Sequence, residues 1–302
     1  MLEGTLLKRN LLLIYLSALV ASWSAFTVIG EVLGGSYVLI PVPSSEDYTC
    51  YSAILSAGRT LSFFLMGSIG ATILYLTFRE VMLQPPETVK ARRLRVVAEI
   101  TFIFFLFLFL GGLAMRYVAN ELHMYASLLP PSIPIPFIPQ ANVYFLVYFF
   151  DEVLGHKLIY LGVVGFIVST TILQNYHGYK RFFTRKEYSA YGVLGFLFGA
   201  GIGVSSVEGQ AAFEILVFSA ASLTSFLILL ATKRIMFTEV KGSKVRSNPF
   251  YAFSLLFFLG ATVAIIACGA YFGIKPFYPF FTQPSEREIM LHRLLLLLLT
   301  LK

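Results

Sequence analysis

Charge is scarce in this sequence of 302 residues. Asp, Glu, Lys and Arg together make up 13% of it, whereas a soluble globular domain contains about 25%. A disulfide scaffold is excluded because Cys50 and Cys268 are the only cysteines. Intrinsic disorder is excluded because 57% of the residues are hydrophobic and the mean hydropathy is +0.78. The composition therefore predicts a chain that lies in a bilayer, with membrane lipid around it.

Long apolar runs are plentiful. A transmembrane helix needs about 20 apolar residues to cross roughly 30 Å of hydrocarbon. Seven such runs occur, at about 10–33, 53–78, 97–119, 143–173, 188–206, 211–231 and 249–272. They predict an all-α polytopic bundle of seven transmembrane helices within residues 1–273. Residues 274–302 are predicted to form an outer loop and, within 286–302, a short interfacial helix or a partial eighth helix, because their leucine run is too short to cross.

The positive charges are unevenly distributed. Lys and Arg outnumber Asp and Glu by 23 to 16, which gives a formal net charge of +7. Sixteen of the 23 lie before the first span or after the second, fourth and sixth spans, within 8–9, 79–95, 180–186 and 233–246. Short cytoplasmic loops hold such an excess. The pattern predicts a cytoplasmic N-terminus in the cell membrane, and we expect no nucleic-acid partner.

The predicted outer loops at 34–52 and 124–142 contain many apolar residues and prolines. Proline fixes φ and lacks an N–H donor, so an α-helix or a central strand is disfavoured there. We expect extended, polyproline-like segments that lie over the helix ends. Cys50 and Cys268 both fall near this side, and the sequence leaves open whether they pair.

Ionisable side chains inside the predicted spans are the candidates for function, because each costs about 2.5–3.5 kcal/mol to insert. The densest group lies in the fourth span, in the sequence YFFDEVLGHKLIY. Glu152 and His156 are four residues apart and are therefore neighbours on one helix face. Asp151 adjoins them, and Gly155 allows another helix or a ligand to come close.

Further candidates lie in other spans. Glu121 and His123 lie just beyond the outer end of the third span and are predicted to face the same polar site. Arg59 and Arg116 are expected to pair with carboxylates. The carboxylates available to them are Glu31, Asp151, Glu152 and Glu214.

One functional hypothesis is an outer-facing metal site. Imidazole and carboxylate ligands suit Zn²⁺ or Fe²⁺, and the predicted ligands are His123, His156, Glu152 and Glu121. Glu152, His156 and Asp151 are then the predicted catalytic groups for metal-assisted hydrolysis or transfer on a lipid-like substrate. The sequence contains neither HExxH nor a Glu-x-x-His pair, so no known metal signature supports this hypothesis.

Two other hypotheses use the same residues. In a proton- or cation-coupled transporter they would bind the transported ion, although the inner halves of the spans look almost wholly apolar, which weighs against a continuous path. In a structural or assembly subunit the ion pairs would only lock helices together. Gly195, Gly199 and Gly203 recur every four residues in the fifth span, which predicts close packing against another helix or, alternatively, a groove for a lipid or prenyl chain.

Overall fold

The computed structural model describes residues 11–32, 37–43, 50–83, 89–128, 146–176, 183–231 and 249–275. These residues form a helical bundle and one β-hairpin. The helices are α1 (Leu11–Val32), α2 (Ala57–Leu65, Met66–Gly70 and Ala71–Met82), α3 (Val89–Leu128), α4 (Phe149–Gly155 and His156–Tyr176), α5 (Arg185–Glu208), α6 (Ala212–Ala231) and α7 (Pro249–Phe272). The hairpin consists of β1 (Tyr37–Pro43) and β2 (Cys50–Ser56). The predicted all-α membrane bundle is confirmed.

Most of these helices are suited to a bilayer. Helices α2, α3, α4, α5 and α7 are long and apolar enough to cross a membrane, and α1 and α6 contain shorter apolar stretches. Large apolar side chains project from the bundle, such as Phe107, which is 70% exposed. Hydrocarbon can surround such a surface because helices satisfy their own backbone hydrogen bonds. The chain is therefore an integral membrane protein.

Helices α5 and α7 make the most extensive contact in the bundle. A Cβ atom at Gly195 or Gly199 would overlap the carbonyl oxygen of Phe253 or Phe257. A Cβ atom at Gly203 would lie 2.7 Å from the Ala261 carbonyl oxygen. The glycine stripe thus allows two helix backbones to touch, as predicted. The alternative of a groove for a lipid or prenyl chain is wrong because α7 fills that space.

Helices α3 and α4 form a second closely packed, antiparallel pair. A Cβ atom at Gly112 would lie 2.7 Å from the Gly155 carbonyl oxygen and from the Ile159 amide nitrogen. Further along, a Cβ atom at Gly162 would lie 2.7 Å from the Phe109 Cβ atom. Small residues on both helices therefore fix the position of α3 beside the start of α4.

The helix ends follow local rules. Helix α5 begins with a capping box, in which the Thr184 amide donates to the Glu187 carboxylate over 2.7 Å and the Glu187 amide donates to the Thr184 hydroxyl over 3.2 Å. Gln210, with φ of 52°, forms the left-handed turn between α5 and α6. We call the end of the bundle that holds this turn and the start of α4 the His156 end. The opposite end, where α4 finishes and α5 begins, is the Gln174 end.

The loop predictions need correction. Residues 37–43 and 50–56 pair as antiparallel strands rather than forming a polyproline-like segment, and α2 therefore begins at Ala57 instead of 53. Pro41 and Pro43 are tolerated because both strands of a two-stranded sheet are edge strands. Helix α3 continues to Leu128, so it includes the first residues of the predicted loop 124–142. Residues 129–142 and 286–302 lie outside the described residues.

Candidate functional site

The start of α4 is a π-helical turn, Phe149–Gly155, which contains Asp151 and Glu152. Short π-helical segments occur often at functional sites. The turn packs against α3, since a Cβ atom at Gly155 would lie 3.2 Å from the Arg116 amide nitrogen. Gly155 thus lets another helix approach, as predicted, and the helix is α3. This approach brings Arg116 next to the turn.

Asp151 is the buried carboxylate of the site, with 3% of the residue exposed. The Arg116 Nε atom lies 3.8 Å from the Asp151 Oδ1 atom, which is an ion pair beyond hydrogen-bond distance. The Arg116 side chain is 47% exposed. The ion pair therefore has its carboxylate in the interior of the bundle and its guanidinium at the surface. Arg59 on α2 also lies within electrostatic reach of Asp151. Of the predicted partners for Arg116, Asp151 is confirmed.

His156 is buried and held on several sides. Its Nδ1 atom lies 3.0 Å from the Asp151 backbone carbonyl oxygen. Because a carbonyl only accepts, Nδ1 carries the proton in this contact and Nε2 keeps its lone pair. The imidazole stacks on Tyr160, with ring centroids 6.1 Å apart, and Gly209 is so close that a Cβ atom there would lie 2.5 Å from the His156 Cδ2 atom. The His156 Nδ1 atom is 3.8 Å from the Glu152 Oε2 atom, which confirms that these two residues are neighbours.

A second ion pair joins α4 to α6. The Lys157 Nζ atom lies 2.5 Å from the Glu214 Oε1 atom. The expectation that Arg59 or Arg116 would pair with Glu214 is therefore wrong, because the neighbouring lysine of α4 reaches it. Close by, the Gln210 amide donates to the Tyr148 hydroxyl. The His156 end thus holds charged and polar groups from α2, α3, α4 and α6.

The predicted metal ligands are not brought together by the side chains that the structure describes. Glu121 is buried on α3, and Glu152 and His156 are adjacent, but no three His, Cys, Asp or Glu residues among those described could hold a metal ion. His123 and Glu31 lie on α3 and α1, and their side chains are outside the described residues. The Zn²⁺ or Fe²⁺ site that includes His123 therefore stays a prediction.

One cysteine can be described. Cys268 is a buried, free thiol, whereas the side chain of Cys50 lies outside the described residues. The free thiol of Cys268 therefore supports the alternative in which the two cysteines are unpaired.

The interior of the Gln174 end is polar, contrary to the expectation of an almost wholly apolar inner half. Ser169, Thr170, Thr171 and Gln174 on α4 are all buried, and the Thr171 and Ser254 hydroxyl oxygens are 2.6 Å apart. The signal in the sequence was the Ser-Thr-Thr run followed by Gln within an apolar span. Ser and Thr hydroxyls can bond to the carbonyls of their own helix, so an apolar span tolerates them, and a few such residues change its mean hydropathy little.

One crevice between the described helices is small and apolar. It lies between α1, α2, α3, α4 and α5, and Trp23 and Phe198 are among the residues that line it. None of the ionisable residues of the His156 end lines it. The Asp151 and His156 side chains are instead enclosed by packed neighbours, which suits a very small ligand better than a bulky one.

No protein-family model matches the sequence, and neither the curated proteins nor the solved structures give a match.

Proposed function

We propose that this protein moves protons across the membrane, alone or coupled to a small cation, through the ionisable group at the His156 end. The observation that carries the proposal is Asp151, a carboxylate that is buried within a membrane-spanning helix and separated from Arg116 by 3.8 Å. Ionisable groups inside spans are costly and mark ion pathways and proton relays. A carboxylate held loosely in an ion pair has room to bind and release a proton.

His156 supports a relay. Its Nδ1–H is fixed on the Asp151 carbonyl oxygen, so the Nε2 lone pair is the group that takes a proton. Glu152 is partly exposed, and its Oε2 atom lies 3.8 Å from Nδ1 of the same ring. In this proposal Glu152 takes up protons from the surface, and transfer to Nε2 requires the imidazole ring to turn. In this proposal Asp151, Glu152 and His156 bind the proton, while Arg116 and Arg59 hold the carboxylate of Asp151 in place.

The polar groups continue along α4 towards the other end. Tyr160 lies beside Ser205 of α5, and Ser169 to Gln174 follow further along the helix. Between them, buried Val163, Val164 and Ile167 form an apolar stretch. At 1.5 Å per residue this interruption is roughly 13 Å long. Transport therefore requires this apolar stretch to open, through a movement of α4 relative to its neighbours.

The orientation is part of the proposal. Arg79, Arg93, Arg95, Arg185 and Lys186 all belong to the Gln174 end of the helices. Positive residues favour the cytoplasmic side. We infer that the Gln174 end faces the cytoplasm and that the His156 end faces outward across the cell membrane.

The test is proton flux in liposomes that contain the purified protein and a trapped pH indicator. Under an imposed pH gradient and membrane potential, the native protein is expected to dissipate the gradient. Asp151→Asn removes the ionisable group and is expected to slow the flux by roughly 100-fold. The matched control is Glu99→Gln, which removes a carboxylate that pairs with Arg95 on the surface of α3 and should leave the flux unchanged. Absence of flux in the native protein under every proton or cation gradient, or equal flux in Asp151→Asn, contradicts the proposal.

The second candidate is an acid–base enzyme that acts on a lipid-like substrate. It is favoured by the half-exposed side chain of Arg116, which lies at the bundle surface next to buried Asp151 and His156. An arginine there suits the anionic headgroup of a lipid. Mass spectrometry of defined liposomes incubated with the protein tests this candidate. New lipid products that disappear with His156→Asn support it, and unchanged lipids contradict it.

A further inference from the structure

Gln174 is a buried amide without a protein partner among the residues that the structure describes. It is 1% exposed, and neither its Nε2 nor its Oε1 atom has a hydrogen bond there. The side chain offers two N–H donors and a carbonyl acceptor. A buried polar group that is left unsatisfied costs free energy, so an amide in this position requires a ligand that can both donate and accept.

A pair of hydroxyls lies on the same helix face. The Thr171 Oγ1 atom is 2.6 Å from the Ser254 Oγ atom of α7. It is also 2.7 Å from the Ile167 carbonyl oxygen, and the Ser254 hydroxyl is 2.8 Å from the Phe250 carbonyl oxygen. The two hydroxyls have two protons for these three contacts. The pair can therefore direct its hydrogen bonds towards either helix, and lone pairs on the two oxygens remain to accept a hydrogen bond from a third group.

Gln174 is close enough to share a ligand with these hydroxyls. It follows Thr171 by three residues and Thr170 by four, and residues at these spacings are neighbours on a helix surface. The Thr170 hydroxyl donates to the Phe166 carbonyl oxygen over 2.8 Å, so its oxygen has only lone pairs left to offer. We call Thr170, Thr171, Gln174 and Ser254 the inner polar patch.

We propose that the inner polar patch binds water, admitted from the Gln174 end, and that this water forms the cytoplasmic half of the proton route. Water donates and accepts, which matches both the amide and the lone pairs of the hydroxyls. Its small size matches a site where Thr170, Thr171 and Ser254 are fully or almost fully buried. The proposal that water binds here depends only on the residues of the inner polar patch. The proposal that this water carries protons rests on the proposed function.

The first test is water-edited solid-state NMR of the native protein in bilayers, with glutamine side-chain amides labelled with ¹⁵N. The sequence contains five glutamines, and Gln174→Asn assigns the signal of interest while keeping an amide. Magnetisation from water is expected to reach the Gln174 amide several-fold faster than the methyl groups of Ile167. Ile167 is fully buried and lies two helix turns away on α4, so it is the dry reference. An equally slow transfer to both residues overturns the proposal.

The second test is Gln174→Leu, which keeps the volume but removes both polar atoms of the amide. If water in the patch carries protons, this variant slows the flux in liposomes at least several-fold while the fold is kept. Unchanged flux overturns the role in the route. A native protein that shows no flux but rapid transfer of magnetisation to Gln174 contradicts the proposed function and retains the water site, so the two failures are distinguishable.

Discussion

Gly111 and Gly112 are adjacent in α3 but have different surroundings. A Cβ atom at Gly112 would lie 2.7 Å from the Gly155 carbonyl oxygen at the end of the π-helical turn, whereas a Cβ atom at Gly111 would have no atom within 4 Å. One methyl group therefore tests whether the contact between α3 and α4 holds the candidate site together. The same contact sets the distance from Arg116 to Asp151.

Gly112→Ala is expected to destabilise the protein by about 1–3 kcal/mol, because extra volume is forced into a closely packed interface. It is also expected to slow proton flux, since α3 carries Arg116 away from Asp151. Gly111→Ala is the matched control and should leave both properties nearly unchanged. Thermal unfolding in detergent and flux in liposomes measure the two effects, and equal behaviour of the two variants would show that this contact does not control the site.

Helices α5 and α7 are an element-scale example of the same principle. In a bilayer, apolar side chains gain little from leaving lipid, so helices associate through close packing of small residues. Three glycines in α5 meet the backbone of α7 at one-turn intervals. This explains why α7 can be apolar on all sides and still have a defined neighbour.

At this interface we expect Gly199→Ala to lower the stability by about 1–3 kcal/mol, because its methyl group would overlap the Phe257 carbonyl oxygen. Gly201→Ala lies two residues away and faces open space. It should be neutral or slightly stabilising, since alanine favours a helix more than glycine does by up to about 1 kcal/mol. Unfolding by denaturing detergent gives both values. A Gly199→Ala variant as stable as the control would mean that α5 and α7 do not touch in the membrane.

The π-helical turn is the element that sequence patterns do not reveal. Glu152 and His156 are neighbours at a spacing of four, as the sequence predicts. Within this turn Asp151 is the buried carboxylate and Glu152 is the partly exposed one. Their order of burial depends on how α3 packs against the turn.

At the scale of the whole molecule, the placement of positive charge predicts the orientation. Arg185 begins α5 at the Gln174 end, and Lys275 follows α7 at the opposite end. If the Gln174 end is cytoplasmic, these two positions lie on different sides of the membrane.

Single-cysteine labelling checks this orientation, in a background where Cys50 and Cys268 are replaced by Ser and Ala. In intact cells a membrane-impermeant maleimide is expected to label Lys275→Cys and to leave Arg185→Cys unlabelled until the cells are permeabilised. The reverse pattern would invert the proposed direction of the route. Labelling of both positions in intact cells would contradict the topology itself.

The sequence by itself determined the class of protein and most of its apolar helices, because hydrophobicity is a property of each segment alone. Of the seven predicted spans, five correspond to described helices that are long and apolar enough to cross a membrane. The seventh span, for example, was predicted at 249–272 and is found at Pro249–Phe272. Only the tertiary structure decided that Lys157 pairs with Glu214, that Asp151 is buried and that Gln174 faces the interior. The sequence of a helix that is apolar on all sides does not show which face contacts protein and which contacts lipid. These contacts therefore depend on how the helices rotate and pack.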